Sequence, residues 1–463
     1  MPKKGFAQKG RESTRNALTD RSEGHKAMRL GTMRLLAILL LCLPAFGQAT
    51  YKGGKYSGAG NYVTQGQGVT GPGENSYCLK GAAPEMTEGT PIWGATDDLA
   101  NLPTQCIYTS LDATPSPGNV YTPALTATFN NVLLSLNGGP AVNADGTTSG
   151  SPEMHLACGD TIILTAGVTY VGEYVFPNLS CDGAHWITVR TSGTTNALFP
   201  AEGVRATPCI MGLTNDDTHN GGVRQVPGYP DFVCATPTVL SAKIMQGNLP
   251  GGAVSSHSAI SFAPLANHYR FIGIEFAKDP AASIGKIITL ASDGLTMGPN
   301  HIIFDRVVIH GDQWTPANAN VNESQGGIGA KNSQWIAEIN GWNYDTYCFT
   351  SCVDSQAYSG GTGFYQDGPH KLYNNLMTSA GETWMWGGGG QGAGTPNPLN
   401  IEIRSNHSFK PLTWMVPINT CLNYRDVTTK NLGEFKNITY ALLEGNVYEN
   451  SWQGCQSDQT GLT

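Results

Sequence analysis

The chain has 463 residues, 58 of them glycine, with 13% charged residues and a formal net charge of −8. So much glycine with so little charge speaks against a helical bundle and for a chain of turns and short strands. The acidic balance also argues against nucleic acid as a partner, because that binding depends on Lys and Arg displacing counterions.

Taken in chain order, residues 28–49 come first. They have a basic start (Arg29, Arg34), an apolar run over 35–43, a helix-breaking Pro44 and then Gly47, Gln48 and Ala49. This is the pattern of a secretory signal peptide cleaved after Ala49, which implies an extracellular or periplasmic protein. The apolar run is about half of the roughly 20 residues a membrane span needs, so no span is expected. Residues 1–27 are too polar and too long for a leader, which points to a start at Met28 or Met33. Leu41 before Cys42 stands where a lipoprotein signal needs a small residue. Removing 1–49 takes away 9 of 27 basic and 3 of 35 acidic residues, leaving 18 against 32, a net charge of −14. An acidic polysaccharide would be repelled too, unless cations bridged it to the protein.

Residues 50–91 are Gly-rich and lack apolar periodicity, as in a flexible linker. Residues 92–157 are expected to form an N-terminal cap, with a helix over 129–136. Ten cysteines remain after the leader, an even number that in an exported chain points to disulfides. Sequence neighbours suggest the pairs 78/106, 158/181, 209/234, 348/352 and 421/455. Spacing alone leaves that connectivity open.

From Cys158 onward an irregular repeat sets the architecture. Residues 269–276, 302–309, 371–377, 401–409 and 441–448 each give a short alternating apolar strand, a bend at Gly, Asn or Asp, and a second short strand. They recur at roughly 30 to 40 residues or twice that, with a further coil over 335–340. Alternation puts every second side chain on one face, and the bend residues accept left-handed backbone. Such units cannot bury their apolar faces alone and must stack into a solenoid. The expected fold class is therefore all-β, a parallel β-helix over 158–463. A β-sandwich fits less well, because the bends come after only three or four residues of strand and carry Asn374, Asn375, Asn406 and Asn446. The chain stops just after a coil with no capping segment, so a sequence truncated at its C-terminus is expected.

The segment 158–172, in which Cys158, Gly159 and Asp160 lead into Ile162 and Ile163, resembles the opening coil of pectin-lyase-like proteins, whose β-helix is right-handed. Residues 185–190, 267–271, 301–306, 381–382 and 404–411 are similar to segments of secreted β-helix proteins of soil bacteria. The resemblance covers about residues 92–463. It implies a fold shared with polysaccharide-acting proteins, and it leaves the activity open because one fold hosts many functions.

Aligning the segments after each bend places 354–356, 381–386, 410–414 and 430–436 on one face, at the strand spacing of about 4.8 Å. Acids, bases and tryptophans would then meet. Trp384, Trp386 and Trp414 are candidates to stack on sugar rings, with Gln356 as a further substrate contact. Asp354, Glu382 and Glu434 are candidate ligands for calcium, which prefers several oxygens. Lys410, Arg404 and His407 are candidates for the base of a β-elimination. Against this, charged and Asn ladders also solubilise β-helices, tryptophans also fill space beneath loops, and Lys430, Glu434 and Lys436 read as surface residues.

The family's lyases carry a Lys soon after a Gly-Glu strand of this kind, where this chain has Gly387 to Gly390. The paired aspartates and Gly-His-Gly turn of polygalacturonases are absent from the sequence, which disfavours hydrolysis. Asp97 with Asp98 and Asp216 with Asp217 read as solvated turns. His301, His310, Asp305 and Asp312 would scatter over different faces rather than bind metal. The glycines of 387–394 lack the Lys-Ser/Thr of a phosphate loop, and no Gly-x-Ser-x-Gly elbow occurs. Two functions remain: a secreted, monomeric, calcium-assisted lyase of acidic polysaccharides, or a non-catalytic surface or adhesive protein that binds glycans.

Overall fold

The computed structural model describes residues 118–462, apart from 182–184, 202, 217–221, 235, 248–257, 281–282, 291–296, 314–322, 349–353, 362–364, 366, 389–396, 415–426, 428 and 452–461. The leader, the linker, residues 92–117 of the capping segment, Cys78, Cys106, Cys352, Cys421 and Cys455 lie outside the described residues.

The described strands form three sheets, of nine, seven and eight strands, and all their ladders are parallel. The nine-stranded sheet runs from Val120–Tyr121 to Thr439–Glu444, the seven-stranded from Tyr174–Phe176 to Gly433–Phe435, and the eight-stranded from Thr169–Val171 to Val447–Glu449. Successive coils add one strand to each sheet in turn. The chain is a right-handed parallel β-helix.

Alternation builds its interior. Val189, Phe271, Phe304, Glu338, Leu372 and Ile403 are register partners across six strands of the nine-stranded sheet, and all are 0% exposed. Phe271 and Phe304 stack at 5.2 Å. One member of this apolar row is a carboxylic acid, Glu338, and burial pushes it up to about 8, with Asn343 opposing only in part.

The bends fall where the repeat places them. Gly273, Arg306, Asn340, Asn374, Ser405 and Gly445 turn the chain from the nine-stranded to the eight-stranded sheet, each with φ between 52° and 66°. Glycine meets this left-handed conformation without strain and asparagine tolerates it. A second asparagine repairs the backbone at the bend. Asn406 Nδ2 donates to Leu372 O at 2.8 Å, and its Oδ1 accepts from Asn375 N–H at 2.8 Å. Asn375 and Asn446 repeat the arrangement one coil on either side, on Glu338 O and Ile403 O.

At the N-terminal end the helix spans Thr126–Leu134, starting three residues and ending two residues earlier than expected, and Ser135 N–H bonds back to Val132 O to close its last turn. It lays Phe129 on Tyr174, with centroids 4.5 Å apart, and so covers the first coil. That coil begins earlier than Cys158, since Val120–Tyr121 pairs with Thr161 and Ile162. Asp160 makes the turn by accepting from Asn119 N–H at 2.6 Å and Ala157 N–H at 2.8 Å.

Cys158 pairs with Cys181 and Cys209 with Cys234, as sequence order suggests, and Cys348 is also disulfide-bonded. The second bridge closes a segment whose Phe232 and Tyr229 pack on Trp342, Tyr344 and Phe409 of the eight-stranded sheet. Asp216 in this segment is buried and so departs from the solvated turn expected of it. Among the described residues no helix is long and apolar enough to cross a membrane.

Candidate functional site

The seven-stranded sheet assembles a polar row. Lys286, Gly326, Gln356 and Glu382 are register partners in four successive coils. Lys286 reaches past its neighbour, and its Nζ donates to Gln356 Oε1 at 2.9 Å. Glycine permits this crossing: a Cβ on Gly326 would lie 2.5 Å from that Nζ. Gln356 Nε2 in turn donates to Glu382 Oε2 at 3.0 Å. The two contacts fix the amide's orientation, since one side must accept and the other donate.

The next coil supplies the cation. Lys430 Nζ lies 2.6 Å from Glu382 Oε1, 2.9 Å from Asp354 Oδ1 and 3.8 Å from Glu434 Oε2. Lys436 Nζ stands 3.7 Å from Glu434 Oε1. The cluster is closed at Glu382, which is 0% exposed, and opens to solvent at Asp354 and Lys436, whose side chains are each 35% exposed.

Burial and charge set the protonation states. Burial would raise the Glu382 carboxyl, yet the Lys430 ammonium and the Gln356 amide outweigh it and hold it below the usual range. Burial would lower Lys430, but the carboxylates of Glu382 and Asp354 lift it above an ordinary lysine. Burial and then the neighbouring Glu382 raise Glu434. Lys286 is half-buried, and desolvation, with Lys331 adding repulsion, brings it down to about 8. The cluster thus holds an amine brought down to about 8 at Lys286, a carboxyl raised above its usual range at Glu434, and the Lys430 ammonium against Glu382.

The structure brings together Asp354, Gln356, Glu382 and Glu434 of the residues singled out from sequence. It separates the expected bases. Arg404 lies in the nine-stranded sheet, with its Nε on Glu402 Oε1 at 2.7 Å and its guanidinium over Tyr373. His407 lies in the eight-stranded sheet, 2.9 Å from Glu449 Oε2. The three sheets face different directions, so these two residues do not reach Glu382. Lys410 does come near, but its ammonium donates to the carbonyls of Ser379, Ala380 and Gly381 at 2.7, 2.7 and 2.6 Å and is buried. It clamps the turn that leads into Glu382, and its lone pair is not presented to a substrate.

The tryptophan platform does not form. Trp384 and Trp386 are 1% and 0% exposed, because they alternate with Thr383 and Met385 and fill the interior against Tyr358 and Phe435. Trp414 is equally buried, beside Tyr347. The expected calcium ligands converge on Lys430 instead. Calcium binds six to eight oxygens at 2.3–2.6 Å, and the place where Asp354, Glu382 and Glu434 meet is taken by an ammonium, so these residues do not fit the ion. Among the described residues no other group of three or more His, Cys, Asp or Glu is arranged to hold a metal. His301 and His310 do fall on separate sheets. The first stacks between His268 and Trp335, and the second pairs with Glu275 at 3.1 Å.

Two members of the site escape a reading of the sequence. Lys430 has the pattern of a surface residue. Lys286 does not stand out among the charged candidates, although a lone lysine within the apolar run 284–288 is the kind of break in patterning that marks a polar contact.

No family model and no curated protein matches this chain. Solved structures similar to it include pectate lyase Pel9A, at 11% identity and a TM-score of 0.39 over 73% of this chain. The chain spans 63% of Pel9A. Pectate lyase Bsp165PelA from Bacillus sp. N165, in complex with trigalacturonate, matches at 10% identity and a TM-score of 0.30, over 73% of this chain and 84% of that one. The alginate lyase from Paenibacillus sp. str. FPU-7 matches at 10% identity and 0.28, over 71% and 95%. At such scores these likenesses carry no functional weight, and the β-helix rests on the chain's own ladders.

Proposed function

We propose that this is a secreted carbohydrate-active protein that cleaves an acidic polysaccharide by β-elimination at the row Lys286, Gln356 and Glu382. The observation that carries this reading is the continuous chain of contacts from Lys286 through Gln356 and Glu382 to Lys430, which links a lysine of lowered basicity to an ion pair.

In the proposed reaction the uronate carboxylate lies against the cluster's open side at Lys436. Neutralisation of that carboxylate acidifies the ring proton next to it. Lys286, neutral above about pH 8, takes the proton. The electron pair left on the ring carbon forms a double bond as the bond to the leaving sugar oxygen breaks, and that oxygen takes a proton from water. Lys430 keeps Glu382 ionised and the Gln356 amide in place. No step runs through calcium.

The test is ultraviolet absorbance from unsaturated product when the protein is incubated with a panel of uronate polymers. Activity on at least one polymer, lost in Lys286→Met with an unchanged circular dichroism spectrum, is expected. No product from any polymer would sink the lyase reading. Retained glycan binding in that case would identify a non-catalytic glycan-binding protein.

A further inference from the structure

Lys430 occupies its place by construction. Its backbone N–H donates to Ala380 O at 3.1 Å, and two residues later Leu432 O accepts from Thr383 N–H at 3.0 Å and from the Thr383 hydroxyl. The segment carrying Lys430 is thereby tied to the strand carrying Glu382 on both sides of the carboxylate. Lys410 holds the carbonyls of the same turn from below. Lys430 is further set by its neighbours Asn431 and Leu432, which are 0% and 2% exposed.

The ammonium then answers a specific need. Glu382 is fully buried, and a buried carboxylate without a counter-charge is strongly destabilising. Asp354 and Glu434 approach from the solvent side, so three carboxylates surround Lys430, with Lys436 a second cation at Glu434. The chain brings the counter-charge on its own side chain.

We infer that Lys430 is a tethered counterion that takes the place of a divalent cation, so that the site is assembled without metal, and that removing its amine leaves three carboxylates which bind calcium. The inference rests on the proposed function only for the location of the site. It makes no use of turnover.

The experiment is calorimetric titration of the mature, chelator-treated protein with calcium chloride, together with thermal unfolding. Wild type is expected to unfold at the same temperature with chelator or with millimolar calcium, and to show no calcium binding that Asp354→Asn abolishes. Lys430→Ala is expected to unfold several degrees lower without metal and to regain at least about 3 °C with millimolar calcium, as binding to the folded state requires. Adding Glu382→Gln should erase that gain. Calcium binding by wild type that Asp354→Asn removes overturns the inference, as does a folded Lys430→Ala protein indifferent to calcium. Should Lys430→Ala fold only with calcium, the inference is supported; should it fold under neither condition, the wild-type titration decides. A calcium pattern as expected in a protein without lyase activity leaves this inference standing and removes the reaction.

Discussion

Gln356 and Glu382 are register partners in adjacent coils, and the amide donates to the carboxylate at 3.0 Å while accepting from Lys286 at 2.9 Å. One neutral side chain thus links the proposed base to the carboxylate that Lys430 neutralises. Gln356→Glu would set a negative charge against Lys286 and stabilise its protonated form. The rising limb of kcat/KM against pH, expected near pH 8 in wild type, should move up by about one unit or more in Gln356→Glu. A limb that stays in place would show that Lys286 does not titrate in the reaction.

Gly326 lies between Lys286 and Gln356. A methyl group there would meet Lys286 Nζ at 2.5 Å and Gln356 O at 2.6 Å. The lysine can move away but the backbone carbonyl cannot move without shifting the strand. Gly326→Ala should therefore cost about 1 to 3 kcal/mol in denaturant unfolding, and activity should fall more than stability accounts for. Near wild-type activity in this variant would place the working amine elsewhere.

The asparagine bends carry stability rather than chemistry. Asn406→Ala removes the partners of Leu372 O and Asn375 N–H, both in the buried bend. Each orphaned group costs about 1 to 3 kcal/mol, so a loss of roughly 2 to 6 kcal/mol is expected by urea denaturation. A change below about 1 kcal/mol would mean that water replaces the side chain.

Glu338 makes stability depend on pH. Its folded-state value of about 8 lies above that of a free glutamate, so the folded protein keeps a proton that the unfolded chain releases. The stabilisation is complete below the free value and is lost as pH rises through about 8, with a slope of up to about 1.4 kcal/mol per pH unit. Glu338→Gln should flatten this part of the stability profile and raise stability at pH 8 relative to wild type. An unchanged slope would show that other groups set it.

Much of the scaffold is legible in the sequence because its signals are local. Alternation at 302–309 and 401–409, with bend residues between the strands, specifies a strand, a left-handed turn and a second strand whatever lies around them. The pairing of Cys158 with Cys181 and Cys209 with Cys234 needs only neighbours in the chain. Placing 354–356, 381–386 and 430–436 on one face likewise needs only the order of coils.

The face each side chain takes and the partner it finds are not local properties. Trp384 and Trp386 go inward because alternation from the strand start fixes their side, and that start is set by the coil below. Arg404 and His407 fall on two other sheets because the bend at Ser405 turns the chain between them. Lys286 joins the site across Gly326, a contact 70 residues apart in sequence. Pattern along the chain specifies the solenoid and the stock of charges along one row. It took the stacking of coils to make Lys430 the cation among those carboxylates, because an ion pair depends on distances that local pattern does not encode.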